Sequence, residues 1–228
     1  MKKEELLNRE EMLHYLGYGE NRPDEVMAED IAYCEQQLIE AAVPKYFYKV
    51  YPIEREENRL WIAGHGLELK GESIKKHLEG CELVSLGCAT LGKEVDELIE
   101  ATQKTSMLDA LLLDAAANAG IERVREKIEK ELKQEYPDYR INWQFGIGYG
   151  DLPIETQAEF LKLVNAEEKI GLTCNENFLL VPVKSVTGFI GLKKRTEGIK
   201  EVEEETQRGT RCESCTMKDR CTLKKKCL

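Results

Sequence analysis

Two groups of residues in the 228-residue chain have the types and spacing to do chemistry. The first is glycine-dense and runs Gln144-Phe145-Gly146-Ile147-Gly148-Tyr149-Gly150-Asp151-Leu152-Pro153. Glycines at every second position permit positive φ and let a ligand approach the backbone without interference from a Cβ. The run is not a dinucleotide fingerprint, because Asp151 stands where the last glycine would be. A plain tight turn is the other reading. The second group is Cys212-x2-Cys215-x5-Cys221-x5-Cys227. Four cysteines within 16 residues, in a segment too poor in apolar residues to build a core, call for a metal that supplies folding energy. Such a thiolate set suits an iron–sulfur cluster or, alternatively, zinc. Lys218, Arg220 and Lys224 to Lys226 would offset its charge.

The elements that must position these groups are readable from periodicity. Ile31, Cys34, Leu38 and Ala41 recur at helical spacing, and Val43-Pro44 closes that helix. Strands are expected at Tyr46 to Tyr51, Arg59 to Ala63 and Glu82 to Cys88, with Ser73 capping a short helix from Ile74 to Leu78. Lys93 to Gly120 reads as one or two helices, and Ile121 to about Glu135 as a further one. A half-buried strand, Tyr139 to Phe145, leads into the glycine turn, and a helix from about Glu155 to Val164 leads out of it. Lys184 to Leu192 is a β-rich closing segment. This mixed order predicts an α+β body with an antiparallel sheet and packed helices over residues 1–192, followed by a charged linker and Cys-rich tail over 193–228. Cys34, Cys81, Cys88 and Cys174 fall in helix or strand patterns as small buried hydrophobes, and the three histidines show no partner spacing.

Composition bounds the function. A formal charge of −10 argues against nucleic acid as the partner, since phosphate backbones are held by Lys and Arg. From Lys193 onward there are 11 Lys and Arg against 7 Asp and Glu, a net of +4 that leaves −14 on the rest. No apolar run is long enough to span lipid and the first residues hold no apolar leader core, so a cytoplasmic protein without membrane attachment is expected.

Several blocks, in order, resemble the reactivation domain of cobalamin-dependent methionine synthase and its stand-alone relatives. Gly148, Tyr149, Gly150, Asp151 and Pro153 match the family's glycine-tyrosine turn. Pro182-Val183-Lys184-Ser185-Val186-Thr187-Gly188 matches its Pro, two residues, Ser-Val-Ser/Thr-Gly pattern, preceded by Gly171-Leu172-Thr173 and Glu176-Asn177-Phe178. Gly71-Glu72-Ser73-Ile74, Leu78-Glu79-Gly80-Cys81 and Ala89-Thr90-Leu91-Gly92 also look like segments of the relatives, so the resemblance spans about residues 10 to 192. One position departs: Gln144 stands where relatives carry an arginine that can pair with a ligand carboxylate, and Gln brings no charge. Arg140 or Lys184 are the nearby candidates to compensate.

The resemblance implies a methionine synthase activation-like fold that binds S-adenosylmethionine through Glu122, Gln144, Gly146, Gly148, Tyr149, Gly150, Asp151, Ser185, Thr187 and Gly188. Tyr149 would face the sulfonium, and Asp151 or Glu122 the ammonium. It also implies a partner, cobalamin-dependent methionine synthase or another corrinoid methyltransferase. The partner's cob(II)alamin would gain one electron and take the methyl group, giving methylcobalamin and S-adenosylhomocysteine. The cobalamin is expected on the partner, because the Asp-x-His-x-x-Gly lower-ligand pattern is absent from this chain. The electron would come from a donor protein, or through a cluster in the tail. The chain would then be an activation subunit taking part in methyl transfer. The alternative class is a non-catalytic, metal-stapled adaptor that binds a corrinoid protein without using S-adenosylmethionine.

Overall fold

The structure, a computed structural model, describes residues 2–195. The cysteines of the proposed metal set, Cys212, Cys215, Cys221 and Cys227, lie outside the described residues. A short 3-10 helix (Lys3–Leu6) and α1 (Arg9–Tyr15) precede α2 (Glu25–Ala41), whose first turn is closed by the Asp24 carboxylate accepting from the Met27 amide at 2.9 Å. The hairpin of β1 (Lys45–Glu56) and β2 (Arg59–Ile62) follows, then α3 (Glu72–His77) and β3 (Leu83–Thr90). Next come α4 (Lys93–Gln103), α5 (Met107–Glu135), β4 (Tyr139–Ile141), β5 (Phe145–Gly146) and α6 (Thr156–Val164). The chain ends through α7 (Ala166–Ile170), a small hairpin of β6 (Thr173–Cys174) and β7 (Leu180–Val181), and β8 (Ser185–Lys194).

The main sheet has the order β2-β1-β3-β8-β4, with β5 also pairing β8. β4 and β5 both run antiparallel to β8, in the registers Ile141 opposite Leu192 and Phe145 opposite Phe189. At the ends of β3, the Glu82 amide donates to Leu192 O and the Leu91 amide to Lys184 O, the register of antiparallel neighbours. Every residue of β3 after Leu83 is buried, as a central strand covered on both faces requires. The α+β class with an antiparallel sheet is therefore the fold.

Three local expectations need correction. The long helical region breaks at residues 104–106 and not at Gly120, so α5 is one helix of 29 residues. Ser106 starts it, its Oγ accepting from the Asp109 amide at 3.2 Å. The cap of α3 is Gly71, at φ 115°, and not Ser73, which lies inside the helix. The strand expected from Tyr139 to Phe145 is split: the Asn142 amide still donates to Gly191 O at 2.9 Å and its Nδ2 to His77 O at 2.8 Å, but regular pairing resumes only at Phe145.

The chain forms two compact units interleaved along the sequence. The first contains residues 2–47, 88–128 and 165–186 and is filled by aliphatic side chains, among them Leu38, Leu91, Leu112, Ala116, Ala117 and Val124. The second contains residues 48–87, 129–164 and 187–195. Its core includes Phe160 and Phe189, edge-to-face at 5.3 Å.

Candidate functional site

The second unit holds the glycine turn. Gly148 and Gly150 take φ of 81° and 61°, conformations that favour glycine. Packing within the unit adds to this, more firmly at Gly150 than at Gly148. A Cβ on Gly150 would lie 2.8 Å from Ser73 Oγ, and one on Gly148 would lie 2.9 Å from Ile154 Cδ1. Gly146 differs, since the nearest atom to a Cβ there is Thr187 O at 4.0 Å. Of the three glycines, then, Gly146 has the open face and the other two serve the turn's own seating.

Asp151 anchors that seat. Its carboxylate accepts from the Glu72 amide at 2.7 Å and from the Ser73 amide at 2.9 Å, satisfying first-turn donors of α3 from 78 and 79 residues away. The Ser73 amide, followed by the Glu72 amide, holds its pKa below the ordinary aspartate value. Asp151 is thus engaged as a remote helix cap, which weakens the expectation that it meets a ligand ammonium. Gly71 belongs to the same junction, for a Cβ there would fall 2.7 Å from Asp151 Oδ1.

Tyr149 stands in an aromatic group that periodicity did not single out. Its ring meets Trp143 at 6.2 Å and 86°, and Phe145 at 5.3 Å and 87°. Phe145 stacks on Trp143 at 5.6 Å, and His77, the last residue of α3, meets Trp143 at 4.5 Å. Phe145 is buried, whereas Trp143 and Tyr149 are half-buried. The available signal was the alternation Trp143, Phe145 directly before the glycines.

Gln144 is buried, only 9% exposed, and its Oε1 has no partner. Its side chain lies against Gly188, where a Cβ would be 2.7 Å from Gln144 Cγ and 2.5 Å from Phe145 O. Gly188 is therefore a packing requirement of this strand pair. Thr187 donates through Oγ1 to Gln157 Oε1 at 2.9 Å, and Gln157 Nε2 is itself buried without a partner. An unpaired buried amide group costs about 1–3 kcal/mol, so such groups mark either strain or a place for a ligand or water. The second unit also has a cavity of about 510 Å3 between the β2 hairpin and α6, lined by Trp61, Leu67, Glu68, Pro153, Thr156 and Glu159.

The remaining predicted residues, Glu122 and Ser185, belong to the first unit. Glu122 on α5 accepts from Arg125 Nε at 2.7 Å, and burial followed by the Glu122 charge pushes the Tyr15 phenol up to about 12. Ser185 donates to Thr90 Oγ1 at 2.8 Å. Lys184 is fully engaged: its Nζ donates to Asp114 Oδ1 at 2.6 Å and to Asn118 Oδ1 at 2.8 Å. The Asp96 carboxylate accepts from the Val183 and Lys184 amides at 2.5 and 3.1 Å. This network removes Lys184 as a ready substitute for a ligand-pairing arginine. Arg140 is exposed on β4, opposite Lys193.

Among the described residues, no group of three or more His, Cys, Asp or Glu side chains is placed to hold a metal, and no helix is long and apolar enough to cross a membrane. Cys34, Cys81 and Cys88 are buried, and burial pushes the thiols of Cys34 and Cys88 up to about 11 and 12, which keeps them protonated and inert.

No family model matches the sequence, and no curated protein matches it. Among solved structures the chain is similar to a crystal structure of the MetH reactivation domain bound to AdoHcy, with a TM-score of 0.61 and 15% identity, over 85% of this chain and 74% of that one. At that identity the likeness concerns the fold: the chain is a structural relative of the MetH reactivation domain, built on the same α+β plan of antiparallel sheet and packed helices.

Proposed function

We propose that the chain binds S-adenosylmethionine at the Gly146–Asp151 turn so that a partner's inactive corrinoid can be reductively methylated. The observation that carries this reading is the fold shared with a domain that has been crystallised holding AdoHcy, together with the ordered sequence blocks centred on Tyr149. The unpaired Gln144 Oε1 adds to it, because a buried acceptor two residues before Gly146 suits a ligand that donates hydrogen bonds. When bound, S-adenosylmethionine supplies a methyl group on a cationic sulfur. No general base is needed, so the chain's own task is to orient the ligand and exclude water. Trp143 and Tyr149 would face the sulfonium, and the Gly146 backbone would lie along the ligand. Asp151 keeps the turn in register with α3, a positioning role.

The partner would be a corrinoid methyltransferase that carries the cobalamin. Cys212, Cys215, Cys221 and Cys227 would hold an iron–sulfur cluster passing the single electron that reduces cob(II)alamin, with zinc as the alternative occupant. Iron and sulfide analysis of anaerobically purified protein should find both elements, and zinc alone would remove the electron-relay role.

Calorimetric titration with S-adenosylmethionine, with and without a cob(II)alamin-loaded partner, tests the reading directly. Saturable binding is expected in at least one arm, and its absence from both would falsify the methyl-donor assignment. A second reading is favoured by Gln144 and Asp151, one uncharged and the other occupied as a helix cap. In that reading the chain is an adaptor that binds the corrinoid protein and leaves S-adenosylmethionine alone, and the titration would show partner binding only.

A further inference from the structure

The geometry points to Trp143 as a second aromatic wall that, with Tyr149, selects a sulfonium over a neutral thioether. This inference rests on the reading that the turn takes S-adenosylmethionine. Trp143 and Tyr149 stand almost perpendicular, at 86° with centroids 6.2 Å apart, and both rings are half-buried. Phe145 is 2% exposed and touches both, stacked on Trp143 at 5.6 Å and edge-on to Tyr149 at 5.3 Å. One buried ring therefore fixes the angle between two partly exposed ones. His77 backs both Trp143, at 4.5 Å, and Phe145, at 5.2 Å, and the Asn142 side chain bonded to His77 O ties the residue before Trp143 to the same helix end. The corner is preorganised and costs no ordering when a ligand arrives.

What such a corner distinguishes is charge. The face of an aromatic ring carries negative potential and attracts a cation within about 6 Å, most strongly for Trp. A methyl donor with a sulfonium carries that charge on the sulfur, and its demethylated product, a thioether, does not. Two aromatic walls would hold the donor and release the product, which favours turnover over product inhibition. Trp143 lies in the irregular stretch between β4 and β5, two residues before Phe145 and six before Tyr149.

The test is calorimetric titration of wild type, Trp143→Leu and Trp143→Phe with S-adenosylmethionine and, separately, with S-adenosylhomocysteine. Wild type should prefer the sulfonium ligand. Trp143→Leu should shrink that preference by a few-fold to about 30-fold, through loss of S-adenosylmethionine affinity, with the S-adenosylhomocysteine affinity nearly unchanged. Trp143→Phe preserves an aromatic face and the packing against Phe145, and should retain most of the preference even if the leucine variant proves too unstable to assay. Parallel weakening of both ligands in both variants, or an unchanged ratio, would overturn the inference while leaving the methyl-donor reading intact. Failure of wild type to bind either ligand, both alone and with the cob(II)alamin-loaded partner, would overturn both.

Discussion

The two units of this chain differ in how completely they satisfy their buried polar groups. In the first, Glu35 pairs with Arg9, Arg125 with Glu122, and Thr90 accepts from both Ser185 and the Gly92 amide. In the second, Ser85 Oγ, Gln144 Oε1 and Gln157 Nε2 are buried without a partner. Exposed apolar surface shows the opposite bias: Met107, Leu111, Leu179, Val181 and Val183 all belong to the first unit. Native cores leave few polar groups unpaired, and those few concentrate where strain or ligands are accommodated. The contrast sets a first unit whose buried polar groups are paired and whose apolar side chains face outward against a second unit that carries its unpaired polar groups inside.

The largest effect should come from the aromatic core of the second unit. Phe160→Ala removes a fully buried ring from its edge-to-face contact with Phe189 and should cost about 3–5 kcal/mol, read from the shift in denaturant midpoint. Leu38→Ala, in the aliphatic core of the first unit, should cost about 2–5 kcal/mol. Hydrogen exchange on each variant would show which amides lose protection, and a uniform loss in both would erase the distinction between the units.

The same substitution should act with opposite sign in the two units. Gly188→Ala drives a methyl against Phe145 O and should cost about 1–3 kcal/mol. Gly120→Ala places its methyl 3.6 Å from Leu38 and Leu91, ordinary contact, inside a continuous helix, and should stabilise by about 0.5–1 kcal/mol. Thermal midpoints decide this, and a stabilised Gly188→Ala would show that the Gln144 side chain and the β5 backbone yield more easily than the close approach implies.

That pair also shows what the sequence discloses. The poor helix propensity of glycine predicts a break at Gly120, yet α5 runs through it beside Leu38 and Leu91, and tertiary packing outweighs propensity. The true break carried a local signal, Ser106 with Asp109 three residues on. The strand pattern from Ser185 and the helix after Glu155 were legible because their periodicity is local. The cap of α3 was not, since Asp151 is 79 residues from Glu72 in sequence and no spacing rule links them. Tyr149 was legible as a residue type, but the contact of Trp143 with it was not, because the alternation Trp143, Phe145 puts two rings on one face without saying that the turn folds Tyr149 back onto them.

Buried amides should answer differently from buried hydroxyls. Gln144→Leu removes an unpaired carbonyl at similar volume, so stability should change by no more than about 1 kcal/mol, with a gain as readily as a loss. Thr90→Val in the first unit deletes an oxygen that accepts from Ser185 and from the Gly92 amide and should cost about 1–3 kcal/mol. A large loss in Gln144→Leu would mean that its amide is satisfied in solution, and the contrast between the units would weaken accordingly.

The smallest expected effect is confined to the junction between the turn and α3, and it depends on pH. The Ser73 and Glu72 amides lower the Asp151 pKa from the ordinary 3.8, so the folded protein favours the charged carboxylate. A depressed folded value means that the stabilisation is complete above about pH 4 and is lost as pH falls through the folded pKa. Asp151 is exposed, so solvent screening keeps the contribution to global stability modest. Exchange at the Glu72 and Ser73 amides should therefore quicken on acidification, beyond the intrinsic pH dependence of exchange, while amides of α5 do not follow. Asp151→Asn retains one accepting oxygen but cannot titrate, so its junction should be weaker at neutral pH and should show no further loosening in acid. Acid-induced loosening that persists in Asp151→Asn would assign the effect to another carboxylate and leave the turn held to α3 by the close packing of Gly71 and Gly150 alone.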